Sequence, residues 1–195
     1  MQSLINKTSE LLKTPDQWDN YCELVELKDQ IINMWRQSVH NSIMEYFNHP
    51  DNQIEGWKFD FTKHGLMPHF RWIPTNCDTI FTINLYQFKD FNLWLHANEI
   101  DSDAVKKKIK SDQFKRLLSN HRNDDDSHAW FIFQEKGNFY FEGATCNGNF
   151  DYRRMLWYAY HRFDDYIKQL TEKLNLIRTE ENVLLFQELY QEVKK

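Results

Sequence analysis

The spacing of apolar residues changes twice along the chain, and those changes divide it into elements. From Trp18 the apolar residues fall at Tyr21, Val25, Ile32, Trp35, Val39, Ile43 and Tyr46, on one face of a helix. Just ahead, Thr14-Pro15-Asp16-Gln17 supplies a hydroxyl cap, a proline at the first helical position and a glutamine that can reach back to the cap. The spacing therefore predicts a helix from Pro15 to about Asn48, ending before Pro50. A shorter helix over Ser3 to Lys13 is expected before it.

At Trp57 the period becomes two, the mark of strands that bury one face. Trp57, Phe59 and Phe61 alternate with Lys58 and Asp60, while Phe70 and Trp72 alternate with His69 and Arg71. Phe81, Ile83 and Leu85 share one side of a strand from Ile80 to Tyr86, and Phe91, Leu93 and Leu95 one side of a strand from Phe91 to His96. Short connections, among them a turn at Thr75-Asn76, favour an antiparallel meander.

Helical spacing then returns. Asp101-Ser102-Asp103 can cap a helix through Ser119 with Val105, Ile109, Phe114, Leu117 and Leu118 on its apolar face and lysines on the other. Asn123 to Ser127 reads as a polar loop. Trp130 to Phe133 and Phe139 to Phe141, joined by Lys136-Gly137-Asn138, read as a hairpin. Cys146-Asn147-Gly148-Asn149 turns the chain into one long helix with a stripe from Tyr152 to Ile177, and a last helix spans Glu180 to Val193. The expected fold is a single α+β domain. An antiparallel sheet of about six strands, the four-strand meander plus the hairpin, is flanked by long helices in the order α-α-β4-α-β2-α-α.

Composition narrows the class. With 195 residues, 41% of them apolar and 16% aromatic, the chain can bury a sizeable core and is not of the disordered type. The formal charge of -5 argues against a protein that wraps nucleic acid, whose affinity comes from Lys and Arg on phosphates. Three widely spaced cysteines, Cys22, Cys77 and Cys146, form neither a disulfide framework nor a metal knuckle, which suits a reducing compartment. No apolar run has the length of a membrane span, and a cytoplasmic location is expected.

Searches for reaction chemistry return little. The order of helix, three strands, helix and strand resembles that of metal-dependent nucleases of the PD-(D/E)XK class. Those enzymes need an Asp and a (Asp/Glu)-x-Lys on neighbouring strands to hold Mg²⁺ and steady the attacking water. Only Glu26-Leu27-Lys28 and Glu192-Val193-Lys194 match, on predicted helices, where residues two apart point to different faces. Five scattered glycines cannot build a phosphate-cradling loop. No G-x-S-x-G elbow occurs, and Cys146 beside Asn147-Gly148 is the one cysteine placed near a helix start. The eight histidines include no pair at zinc-binding helical spacing, so no cofactor or metal is expected.

Alternation sends Lys58, Asp60, His69, Arg71, Thr82, Asn84, Tyr86, Asn92, Trp94 and His96 to the sheet face opposite the predicted core. A mixture of Arg, Tyr, Trp, His and Asn is the composition of contact surfaces. Arg71, Tyr86, Trp94, His96, Asn84 and His69 are thus candidate binding residues, joined by Asp124, Asp125 and Asp126, an acidic run able to meet a basic partner. The expected function is a non-enzymatic protein-binding module, such as an inhibitor or immunity-type protein acting on a basic partner like a nuclease. Two alternatives remain open. One is nucleic-acid binding by that sheet face and the lysine-rich helix, disfavoured by net charge. The other is a degenerate nuclease whose site is assembled from distant residues.

Overall fold

The computed structural model describes residues 10–64, 67–75, 81–96, 101–108, 110–115, 117–125, 128–133, 139, 141–143, 145–146 and 149–195. Most of the expected helix over Ser3 to Lys13 lies outside these residues. So do Asn76, Asp126, Asn147-Gly148 and the Lys136-Gly137-Asn138 turn.

Helix α1 spans Pro15–Asn48 and begins at a capping box. The Thr14 hydroxyl accepts the Gln17 amide at 3.3 Å, and the Gln17 side-chain oxygen accepts the Thr14 and Lys13 amides at 3.2 and 2.9 Å. These bonds occupy backbone donors that a helix start otherwise leaves without partners. The helix ends at His49, before Pro50. Its only buried residues are Val39, Ile43 and Phe47, one turn apart on one face.

The meander follows as β1 (Trp57–His64), β2 (Met67–Pro74), β3 (Phe81–Tyr86) and β4 (Asp90–His96), each antiparallel to the next. Period-two alternation is realised in the register: Phe59 faces Trp72, Phe61 faces Phe70, Phe70 faces Leu85, and Ile83 faces Leu93. Phe70, Trp72, Phe81, Ile83, Leu85, Phe91, Leu93 and Leu95 are buried together. Each such side chain removed from water stabilises by about 1.5–3 kcal/mol. The fold is therefore α+β, built on an antiparallel sheet with helices against it.

Beyond β4 the arrangement departs from the sequence reading. The helix expected from Asp101 to Ser119 is two short ones, α2 (Ser102–Lys108) and α3 (Asp112–Lys115). Leu118 instead opens a strand, β5 (Leu118–Asp125), that takes in most of the expected loop. It pairs with β6 (His128–Phe133), which pairs with β4. The partner of β6 thus precedes it in the chain, and neither Phe139 nor Phe141 lies in a strand. Phe139 packs on Phe133 at 5.6 Å between ring centres, and Phe141 is buried against Phe91 and Tyr166. The residues of β5, Leu-Ser-Asn-His-Arg-Asn-Asp-Asp, have no alternation and low strand propensity, which edge strands tolerate because one side pairs with no strand of the described residues.

Two short strands, β7 (Thr145–Cys146) and β8 (Asn149–Phe150), precede the C-terminal helices. The helix expected without interruption to Ile177 is broken at Arg162, giving α4 (Tyr152–His161) and α5 (Phe163–Ile177). Arg162 has φ -129° and ψ 49°, outside the helical region, and its guanidinium binds Asp165 at 2.6 and 2.9 Å. A one-residue break hardly disturbs apolar spacing, so the stripe runs across it. Helix α6 (Glu180–Val193) closes the core, with Phe186 edge-on to Phe81 at 5.5 Å and Phe133 at 6.0 Å.

Candidate functional site

On the second sheet face, strand register sets Asp60, Arg71, Asn84 and Asn92 in a row across β1 to β4. The Arg71 guanidinium forms an ion pair with Asp60. Burial alone would push the Asp60 carboxyl up. The Phe61 amide, which donates to it at 2.7 Å, and the Arg71 charge hold it below its ordinary value instead. Asn84 donates to the Thr82 hydroxyl at 3.3 Å. Asn84 and Asn92 are only 1% and 3% exposed, and Arg71 Nε, Asn84 Oδ1 and Asn92 Oδ1 are buried without a hydrogen-bond partner among the described residues. The centre of this face is closed: Asn84, expected as a contact residue, has no surface to offer a partner.

The rim is more open. His69, Tyr86 and Trp94 gather there half-buried, with ring centres 4.9 Å apart for His69 and Tyr86 and 6.2 Å for His69 and Trp94. Register places His96 opposite His128 and Asp125 opposite His128 as well, while Asp124 lies within β5. Asp126 lies outside the described residues. Asp124 and Asp125 are thus at the far edge of the sheet from Arg71, not part of one patch with it.

Sequence reasoning missed the outer half of α1. A strand of eight residues reaches about 26 Å, but a helix of 34 residues is about 51 Å long. About half of α1 therefore has no sheet to lie on. At 3.6 residues per turn, Val25 lies about five turns from Ile43 and Tyr21 about five turns from Val39, on the same face. The stripe that enters the core thus continues bare: Trp18, Tyr21 and Val25 are 54%, 42% and 53% exposed. Leu24 and Met34, at 58% and 52%, are exposed as well, on different sides of the helix. Asp16, Asp19, Glu23, Glu26 and Asp29 occupy the opposite side of this half of the helix, Asp29 nearest the stripe, with Lys28 as the only cation between Pro15 and Gln30, and all six are exposed. Nearer the core, Arg36 donates to the Tyr152 hydroxyl at 3.2 Å and Trp35 stacks on Tyr160 at 6.0 Å, joining α1 to α4.

Glu26-Leu27-Lys28 and Glu192-Val193-Lys194 lie on or at the end of helices α1 and α6. The lysines expected on one helix are divided between α2, α3 and their connection, and Lys108 forms an ion pair with Glu192. Among the described residues there is no group of three or more His, Cys, Asp or Glu able to hold a metal ion, and no helix is long and apolar enough to cross a membrane. No protein-family model, no curated protein and no solved structure matches the chain.

Proposed function

We propose that the protein is a non-enzymatic binding module whose outer α1 half docks a basic protein partner, in the manner of an inhibitor or immunity-type protein that occludes a nuclease. The observation that carries this reading is the continuation of the core stripe into Val25, Tyr21 and Trp18 with no element of the described chain over it. Soluble proteins seldom leave a run of large apolar side chains uncovered unless a partner takes it. A helix of this length also draws most of its stability from packing of its apolar face, which the outer half lacks without a partner.

Charge selects the partner. Five carboxylates behind the stripe against one lysine make this half of the helix acidic, which favours a basic partner and raises its rate of encounter. The same charges repel a second copy laid alongside. Helix-in-groove docking, with anchors three and four residues apart, is the recognition mode that fits. His69, Tyr86 and Trp94 on the sheet rim are a secondary contact in this reading.

Affinity capture from the native cell with wild type and with Leu24→Glu/Val25→Glu tests it. The expected result is a stoichiometric basic protein on the wild type, released by salt and absent from the variant. A partner retained equally by the variant would overturn the assignment of the surface.

A further inference from the structure

A groove of about 800 Å³ lies between the 141–143 segment and helices α4 and α5. The segment is clamped in place. The Glu142 amide donates to Gln169 Oε1 at 2.8 Å, and Gln169 Nε2 donates to the Tyr158 hydroxyl at 2.6 Å. Gly143 has φ +83°, and a Cβ there would come within 2.6 Å of the Tyr158 ring, so only glycine allows the chain to pass so close.

Lys173 lines this groove although it is only 6% exposed. Its ammonium lies 4.9 Å from the centre of the Phe141 ring and makes no ion pair with any described residue. Burial lowers its proton affinity, and the more distant charges of Glu172 and Glu142 offset that in part. The stem is packed away while the ammonium keeps contact with the groove, where an anion can reach it. Arg154, stacked on Trp157 at 4.4 Å, and Lys168 also line the groove without an ion pair among the described residues. Asp165 is already neutralised by Arg162. The Tyr158 hydroxyl accepts from Gln169, leaving its own proton without an acceptor among the described residues. Burial raises its proton affinity, so the hydroxyl stays a donor.

We propose that this groove binds a small organic anion whose carboxylate or phosphate head is held by Lys173, with the Tyr158 hydroxyl and Arg154 as further donors. The site is separate from the outer half of α1 and does not rest on the role given to that surface. Its chemistry is charge-assisted hydrogen bonding between an anion and the groove-facing ammonium. The carboxylates of Glu142 and Glu172 favour a ligand of one or two charges over a polyanion.

Thermal melts with phenyl phosphate and with benzoate, each against sodium chloride at matched ionic strength, test the site. Wild type is expected to melt higher with the anion than with chloride. Lys173→Met is expected to fold, since methionine keeps the packed stem and removes only an unpaired charge, and to weaken binding about tenfold or more, the effect of one charge-assisted bond. Arg154→Gln, at an exposed position, should weaken binding and serves alone if Lys173→Met does not fold. A rise with phenyl phosphate only assigns a phosphate head, and a rise with both assigns any single anionic head. No rise with either ligand, or a rise unchanged in the variants that fold, overturns the site.

Discussion

Tyr166 donates its hydroxyl to the backbone carbonyl of Phe88 at 3.1 Å, tying helix α5 to the turn between β3 and β4. That turn is unusual in composition. Gln87 and Phe88 have φ of 52° and 62°, and the Lys89 amide donates to the Tyr86 carbonyl at 3.1 Å. Positive φ at both central positions is the sign that primed hairpin turns require, but Asn and Gly usually occupy them. Here the Phe88 ring is fully buried, against Phe70 at 5.9 Å, and the Tyr166 bond fixes the carbonyl, so tertiary packing holds a backbone that local propensity disfavours. Burial pushes the Tyr166 hydroxyl well above its ordinary value, which keeps it a donor throughout the physiological range.

Tyr166→Phe leaves the Phe88 carbonyl buried without this donor. The expected loss of stability is about 1–3 kcal/mol, read as a lower urea midpoint with unchanged slope. An unchanged midpoint would mean that the turn is held by Phe88 packing alone.

The Asp60–Arg71 pair makes stability depend on pH in one direction. Asp60 has a folded value below its ordinary 3.8, so the unfolded chain takes up the proton first as pH falls. Its contribution is complete above the ordinary value and is lost as pH drops through the lower folded one. Asp60→Asn should therefore be less stable than wild type at neutral pH, with the gap closing in acid below 3.8. Urea midpoints of both proteins across that range check this, and a gap that widens in acid would contradict it.

Gly143→Ala forces a side chain into the Tyr158 ring and strains a residue at φ +83°. The expected cost is about 1–3 kcal/mol, visible as a lower melting temperature. Tyr158→Ala in the same chain removes the ring and should make the alanine cheaper than it is alone, which a double-mutant cycle measures.

The readable parts of the fold are those whose signals are local. Thr14-Pro15-Asp16-Gln17 specified a helix start through its own side chains, and alternation from Trp57 to Leu95 placed the buried face of the meander correctly. Strand β5 was not readable, because a polar edge strand has no apolar face to announce it. Nor was the break at Arg162, which lies between two stretches of the same apolar stripe. Asn84 and Asn92 read as surface residues from alternation alone, since period two separates the faces of a sheet without telling whether the second is covered. Lys173 had left a signal: it lies about two turns from Tyr166, on the face of Leu170, Leu174 and Ile177. A lysine in an apolar stripe marks a stem packed in the core with its charge at the edge. The outer half of α1 had left one too, in a stripe longer than any strand it could cover.

The docking role of α1 is the central claim, and the fluorescence of Trp18 measures it most directly. A Leu/Lys amphipathic peptide of about 20 residues is titrated into wild type, Trp18→Phe and Leu24→Glu/Val25→Glu, with sedimentation run in parallel. The account predicts a saturable blue shift in wild type that is lost in Trp18→Phe. It further predicts that the charged double variant weakens binding about tenfold or more and that added salt weakens wild-type binding. Equal binding by wild type and the charged variant would contradict it, as would a dimer of the chain that the same substitutions abolish.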